Sequence, residues 1–409
     1  MPDLLKDKQI VLGICGGIAA YKAADFLRIL ARSGAGVRVI MTKAAQAFVG
    51  PLTFEALSGH PVWTHMFEGR QNGAFRHIEW ADEADAAVII PATANIIAKM
   101  AHGIADDPLT TFILAVRAPV LVCPSMNARM YENPVVQGNI ERLRQAAIHV
   151  VGPEAGLLAC GSEGPGRLAD VGAIAEQLRC LLSPQDLSGE RILITAGPTR
   201  EPMDPVRFIS NPSSGKMGYT LARAARRRGA KVVLISGPTA LADPEGVRVI
   251  RVRTAEEMFN AVMAHADQTS IVIKAAAVSD WKPAHVFEHK IKKGEMEQHL
   301  PLEKTRDILK ALGENKKDQV VVGFAAETHD LEENARAKLA EKNLDLIVAN
   351  LIGPGGSGFG SDTNQVSLFY RDGRTEAPPL MDKGALADVL LDRVLEIKKK
   401  LQMSPVTGH

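Results

Sequence analysis

The sequence predicts an α/β protein built from two doubly wound, Rossmann-like domains, on three observations. A strand, glycine turn, helix, strand opening occurs twice; the strand-length runs are apolar throughout; and a short polar segment with Pro and Gly separates the two openings. A chain of 409 residues is long for one core, and two domains are expected.

Each element follows in order. "KQIVLGIC" is an apolar run of strand length, "GG" breaks it, "IAAYKAADFLRILARSG" has helical spacing, and "AGVRVIMT" returns to strand. Further runs, "AAVIIPAT" and "APVLVCPSMN", each end in a loop of small polar residues. After the helix "AIAEQLRCLL" comes "SPQDLSGE", which places the domain boundary near 184 to 190, with domains over 1–187 and 188–409. The second half repeats the pattern with "RILITAG", a long loop, "YTLARAARRRG" and "AKVVLISG"; later strands fall at "SIVIKAAAV", "VVVGFAAET" and "LDLIVAN". The helical "MDKGALADVLLDRVLEIKKKLQ" closes it. Sheets of this kind bind ligands at the carboxyl ends of their strands, so two openings imply two sites.

Composition narrows the partners. The 48 basic and 47 acidic residues nearly cancel, which argues against general affinity for nucleic acid or anionic membrane. No apolar run approaches the ~20 residues of a membrane span, and the start lacks the segments of a secretory signal. The cysteines Cys15, Cys123, Cys160 and Cys180 form no Cys-x-x-Cys pair, so a reducing, cytoplasmic location is expected. Cys15, Cys123 and Cys180 have the apolar context of core thiols. Cys160 stands in the glycine-rich "LLACGSEGPGRLAD", which cannot bury it well, and exposed thiols are reactive.

At the first site, Gly16 and Gly17 occupy a strand-to-helix turn where a phosphate can approach backbone N–H groups. The pair is not Gly-x-Gly-x-x-Gly and fits a ligand-free tight turn equally well. The end of the second strand is more informative. A dinucleotide site wants an acid there, but the residues are Met41, Thr42 and Lys43, a hydroxyl and a cation that suit a mononucleotide such as FMN. His77, Asn127 and Cys160 together supply an imidazole, an amide and a thiol, a set suited to proton chemistry at a small acid. Taken singly, each has a commoner structural role.

In the second half, "SNPSSGKMG" (210–218) ends in a Gly-Lys but is no Walker loop. That loop needs Gly where Ser210 stands and Ser or Thr where Met217 stands. It still sets hydroxyls, the Asn211 amide and Lys216 just ahead of a helix, where backbone donors meet anions. "AAAVSDWKP" presents Asp280 after a strand, as a magnesium ligand or a ribose contact. "HKIKKG" carries Lys290, Lys292 and Lys293; a bare lysine cluster of this kind is more often a solvated edge.

Here the motifs carry a resemblance. "GICGGIAAYKAADFLR", "RHIEWA", "PATANIIAKMAHGIADD", "PSMNARMYENP" and "ACGSEGPGR" resemble the flavin-dependent cysteine decarboxylase family. From about residue 8 to 400 the chain is similar to the bacterial bifunctional enzymes of coenzyme A biosynthesis, a phosphopantothenoylcysteine decarboxylase fused to a phosphopantothenate–cysteine ligase. The resemblance implies an N-terminal flavodoxin-like flavoprotein domain and a C-terminal ligase domain. One departure is Tyr131, where the family's Pro-x-Met-Asn-x-x-Met-Trp has Trp.

For the first half, the resemblance implies FMN held by Gly16, Gly17, Ile18, Ala19, Thr42, Thr93, Asn95, Ser125 and Met126. It implies oxidation of the substrate thiol, loss of CO2 and reduction, with flavin doing the redox work. Cys160 is then the proton donor, His77 acts at the decarboxylating stage, and Asn127 holds the carboxylate. Relatives of this half assemble around trimers, which implies a homo-oligomer. For the second half, the resemblance implies ligation of L-cysteine to 4'-phosphopantothenate using CTP and Mg2+. Lys290 would stabilise charge as the acid attacks the α-phosphate, and Asn211 would serve the opening of the acyl-cytidylate. CTP contacts are implied for Lys274, Ala275, Ala276, Asp280, Lys290, Arg306, Asp307, Ile308, Leu309, Phe324, Lys338 and Lys342. Lys338 and Lys342 stand four apart, hence on one face of a helix. The family's Asn-Pro-Asp-Ile reads Thr305, Arg306, Asp307, Ile308 here. The residues alone identify no metal ligands and do not separate CTP from ATP.

Two other readings compete. A nicotinamide oxidoreductase would explain both openings, but neither second strand ends in an acid ("VRVIMTK", "VVLISGPT"). A non-catalytic flavin-binding regulator would be expected to lose His77 or Cys160, and both are present.

Overall fold

A computed structural model of the chain describes residues 4–67, 75–157, 161, 163–290, 300–327, 330–351 and 361–403. It divides into two compact units, Pro2–Ser183 and Pro184–His409. Packing explains why the division precedes the expected 187. Leu187 is fully buried in the second unit's core, its N–H donates to the Arg228 carbonyl at 3.0 Å, and Asp186 takes two bonds from the Arg228 guanidinium at 2.9 and 2.7 Å.

The first unit is a five-stranded sheet of β1 (Gln9–Ile14), β2 (Gly36–Met41), β3 (Ala86–Ala92), β4 (Val120–Pro124) and β5 (His149–Val150). All neighbours pair parallel, in the order β2-β1-β3-β4-β5. This is the flavodoxin-like order, with its switch point between β1 and β3. The apolar runs lack alternation because both faces are covered: Leu12, Val39 and Val88 enter one core, Val11, Ile40 and Ile89 the other. Helix Ala20–Arg32 buries Ala20, Ala23, Phe26, Leu27 and Leu30, one stripe at three- and four-residue spacing.

The second unit's sheet holds β6 (Arg191–Ala196), β7 (Lys231–Ser236), β8 (Arg248–Arg251), β9 (Ile271–Lys274), β10 (Val320–Glu327), β11 (Leu346–Leu351), β12 (Ser367–Tyr370) and β13 (Thr375–Glu376). The order β8-β7-β6-β9-β10-β11-β12-β13 begins as the doubly wound 3-2-1-4-5-6 pattern. β12 pairs antiparallel with β11, and β13 antiparallel with β12. Sequence reading did not anticipate them, since a four-residue run without a following helix carries little periodic signal. Again two cores form, with Ile192 and Ile194 on one face and Leu193 and Ile235 on the other. Helix Lys216–Arg227 lies so close to β6 that a Cβ on Gly218 would sit 2.5 Å from Ala196 Cβ and 2.8 Å from the Thr195 carbonyl oxygen.

Candidate active sites

In the first unit a cavity of about 850 Å³ opens at the carboxyl ends of β1 to β4. Gly16, Gly17, Ile18, Ala19, Thr42, Thr93, Asn95, Ser125, Met126 and Asn127 all line it. Topology brings them together: each stretch leaves the end of a different strand at the switch point. The Gly16 turn is tight, because a Cβ there would meet Ala44 Cβ at 2.5 Å and the Ala44 carbonyl oxygen at 2.9 Å. Helix Ala20–Arg32 has no side-chain cap. Ala20 N donates to the Gly17 carbonyl at 2.9 Å and Lys22 N to the Ala19 carbonyl at 3.0 Å, and an uncapped helix start behind a glycine turn is the kind of end that receives a phosphate.

The other loops are fixed by local bonds. Thr93 caps helix Ala94–His102, its hydroxyl accepting from Ile96 N at 3.4 Å. Ser125 N donates to the Ala92 carbonyl at 2.9 Å, and Met126 N to the Gly166 carbonyl at 3.0 Å. Asn127 caps the short helix Ala128–Tyr131, its Oδ1 accepting from Arg129 N at 2.9 Å. The hairpin Glu154–Leu157 with Glu163–Arg167 reaches the same cavity through Leu157, Gly166 and Arg167. Lys99 and Asp107 also line it, and sequence reading missed them. Lys99 donates to Asp106 at 2.6 Å and Asp107 at 3.4 Å, and Asp106 pushes its ammonium up from the ordinary lysine value. Their signal was the "AKMAHGIADD" run, in which a lysine near the end of helix Ala94–His102 meets the two aspartates that follow it.

His77 lies half-buried on helix Arg76–Glu83 and is not among the lining residues. That helix is anchored by Trp80 edge-on to Trp63, ring centroids 5.5 Å apart. Cys160 lies outside the described residues. Burial pushes the Cys15 thiol up to about 12 and the Cys123 thiol higher still, so both stay protonated. Cys180 corrects the expectation of a core thiol. It is only partly buried, because helix Val171–Leu182 buries Ile174, Ala175 and Leu178, and residue 180 falls off that stripe.

The second unit has a cavity of about 660 Å³ where β6, β9 and β10 end. Asn211, Lys274, Ala275, Ala276, Asp280, Arg306, Asp307, Ile308, Leu309, Phe324, Lys338 and Lys342 line it. The loop before helix Lys216–Arg227 closes over β6: Gly197 and Gly215 both have φ of 75°, and a Cβ on Gly215 would lie 3.3 Å from Gly197 N. Asn211 Nδ2 donates to the Val278 carbonyl at 2.9 Å, tying this loop to the segment after β9. Ala276 N donates to Thr195 Oγ1 at 3.1 Å. Burial pulls the Lys274 ammonium down to about 8, although Asp280 pulls the other way.

Asp307 caps helix Ile308–Glu314 and pairs with Lys342 at 2.8 Å. Lys338 lies within helix Leu331–Glu341 and Lys342 is its C-cap, whose N–H donates to the Lys338 carbonyl at 3.1 Å, so the pair reaches the cavity from one side of the helix's last turn. Arg306 lines the cavity while its guanidinium is held 3.2 Å from Glu256 and 3.5 Å over the Phe259 ring. Lys290 is exposed and is not among the lining residues. Lys292 and Lys293 lie outside the described residues. Sequence reading missed Asn350, Asn364 and Lys383, which also line the cavity. Asn350 Oδ1 is buried with no hydrogen-bond partner among the described residues. No group of three or more His, Cys, Asp or Glu able to hold a metal occurs among the described residues, and none of their helices is long and apolar enough to cross a membrane.

Residues 2–183 match the family described as Flavoprotein, and residues 187–397 match the DNA/pantothenate metabolism flavoprotein C-terminal domain. The coenzyme A biosynthesis bifunctional protein CoaBC of Bacillus subtilis (strain 168) is 48% identical over 401 residues, 97% of this chain and 99% of that one. The chain belongs to the CoaBC family. The protein of the same description from Escherichia coli (strain K12) is 46% identical over 396 residues, 96% of this chain and 97% of that one. A crystal structure of the C-terminal domain of a CoaBC protein is 44% identical, covers 53% of this chain and 98% of its own, and has a TM-score of 0.46. As a family member the chain carries both halves. The uncapped helix behind a glycine turn, with hydroxyls and Lys43 around one cavity, is a donor set that fits a flavin mononucleotide.

Proposed function

We propose that this enzyme makes 4'-phosphopantetheine in two steps. The ligase half, residues 184–409, joins L-cysteine to 4'-phosphopantothenate with CTP and Mg2+; the other, residues 2–183, decarboxylates the product with FMN. The observation that carries the ligase reading is one cleft that gathers the 211–218 loop, the end of β9, Asp307, Phe324 and two lysines. A carboxylate oxygen of the acid bonds to the α-phosphorus of CTP as the bond to pyrophosphate breaks. The cysteine amine then attacks the acyl carbon and CMP leaves. Cations fixed around the developing charge lower both barriers, and we assign that role to Lys290, with Lys338 and Lys342 on the nucleotide. Asn211 positions the acyl-cytidylate. Asp280 would hold either the magnesium ion that accompanies the phosphates or the ribose of the nucleotide. Ala275, Ala276, Ile308, Leu309 and Phe324 form the apolar wall for the base.

In the first cavity FMN supplies the two-electron chemistry at the substrate thiol. The Gly16–Gly17 turn and the helix behind it hold the phosphate; Thr42, Thr93, Asn95, Ser125 and Met126 flank the remainder. Asn127 orients the carboxylate, Cys160 delivers a proton, and His77 serves the decarboxylating stage. We also propose a homo-oligomer, supported by Ile18, Tyr21 and Leu157 at this cavity, which are 61%, 55% and 71% exposed and apolar. The cytoplasm suits reduced thiols such as Cys15 and Cys123. Incubation with CTP, Mg2+ and 4'-phosphopantothenate, but no cysteine, tests the ligase assignment. An acyl-cytidylate and pyrophosphate should appear by mass spectrometry and phosphate assay, and their absence would remove the assignment.

A further inference from the structure

Two helices begin at the ligase cleft, Lys216–Arg227 and Lys383–Met403, and a lysine opens each. Lys383 is only 8% exposed. Its Nζ donates to the Ser361 carbonyl at 2.5 Å, a neutral acceptor. Among the described residues no carboxylate lies within ion-pair distance of it. Asp362 is committed to Lys216 at 2.8 Å, with its side chain 87% exposed to water. Asp382 is occupied by Ala385 N at 2.9 Å. A buried charge without a counter-charge is costly, by several kcal/mol in proteins generally. Burial and the nearby Lys216 both push the Lys383 ammonium down from its ordinary value, and Asp362 opposes them only in part.

The surroundings complete a receptor. Asn364 is 7% exposed, lines the cleft, and spends its Oδ1 on Gln365 N at 3.1 Å, which leaves its NH2 as the donor side. The strand pair Thr363–Asn364 with Met381–Asp382 ties this segment to the start of the helix. Across the cleft, helix Lys216–Arg227 has no side-chain cap, its Ncap being Gly215. The anion that satisfies these groups must be compact, multiply charged and rich in acceptors, which describes a phosphoryl group.

We propose that Lys383, with Asn364 and Lys216, forms a phosphoryl-binding site in the ligase cleft whose bound anion is the counter-charge of Lys383. It rests on assigning the cleft to a nucleoside triphosphate and a phosphorylated acid, either of which can supply the group.

The test uses the full-length protein and calorimetric titration with CTP, CMP, pyrophosphate and 4'-phosphopantothenate, so no turnover is needed. Lys383→Met should weaken the ligand that places its phosphoryl group here by roughly 10- to 100-fold, and Lys383→Arg should recover most of that loss. Weakened CTP and pyrophosphate with unchanged CMP assigns the terminal phosphates; weakened 4'-phosphopantothenate alone assigns the acid. Asn364→Ser, which keeps the lysine, should weaken the same ligand by a smaller factor. Ligand-free Lys383→Met should melt no lower than the wild type, because a buried charge has been removed. Unchanged affinity for all four ligands, or a lower ligand-free melting point with intact affinity, would overturn the proposal. Failure of the ligase assignment would instead appear as a wild type that binds a phosphoryl anion but makes no pyrophosphate.

Discussion

Two adjacent glycines at the flavin turn should respond in opposite ways to the same added methyl. A Cβ on Gly16 would lie 2.5, 2.8 and 2.9 Å from Ala44 Cβ, carbonyl carbon and oxygen, and two of these are backbone atoms that cannot swing aside. Overpacking of this kind costs about 1–3 kcal/mol, so Gly16→Ala should lower the melting point of the flavin-free protein by several degrees. At Gly17 the nearest protein atom to a new Cβ is Thr93 Cγ2 at 3.8 Å, an ordinary contact. Gly17→Ala should therefore leave flavin-free stability within about 0.5 kcal/mol. If the phosphate approaches this turn, the methyl obstructs a charge-assisted bond worth about 1.5–3 kcal/mol, or roughly 10- to 150-fold in the FMN dissociation constant. Calorimetric melting of stripped protein and fluorescence titration with FMN separate the two effects. Gly17→Ala binding FMN as tightly as the wild type would place the phosphate elsewhere and refute the reasoning.

Further outcomes follow from the same geometry. Asn211→Asp would set a carboxylate against the Val278 carbonyl that the amide now binds; product should fall by at least tenfold in steady-state assays while pyrophosphate release continues. Lys274 gives a pH signature: its ammonium is pulled from 10.5 to about 8 in the folded protein. Between those values the unfolded chain holds the extra proton, so ligand-free stability should rise with pH from about 8 upward. Chemical denaturation across that window should find this rise in the wild type and lose it in Lys274→Met; parallel curves would remove Lys274 as its source. CTP affinity of the free enzyme should weaken over the same interval as the charge is lost. Cys160→Ser should release CO2 yet stall before 4'-phosphopantetheine, and full product yield would dismiss the thiol as proton donor.

The sequence revealed most of what has period and position. Fully apolar runs such as "RILITA" and "AAVIIPA" read directly as strands buried on both faces, and glycine turns after β1 and β6 marked the two ligand sites. Asn350 and Lys383 escaped because nothing local distinguishes them, whereas Lys99 and Asp107 stood in a recognised run without being singled out. Lys383 looks like any solvated lysine at a helix start until its surroundings, the Thr363–Asn364 strand among them, leave it buried. Long-range burial, not residue type, makes it informative. The four-residue spacing of Lys338 and Lys342 placed both at one cavity, although Lys342 is the helix's C-cap.

The central claim is that one chain performs ligation and then decarboxylation. Purified protein carrying FMN should be given 4'-phosphopantothenate, L-cysteine, CTP and Mg2+, and followed by mass spectrometry with parallel pyrophosphate and CO2 assays. The account predicts one pyrophosphate, one CMP and one CO2 for each 4'-phosphopantetheine formed. Pyrophosphate without CO2, or 4'-phosphopantetheine appearing without CTP consumption, would contradict it.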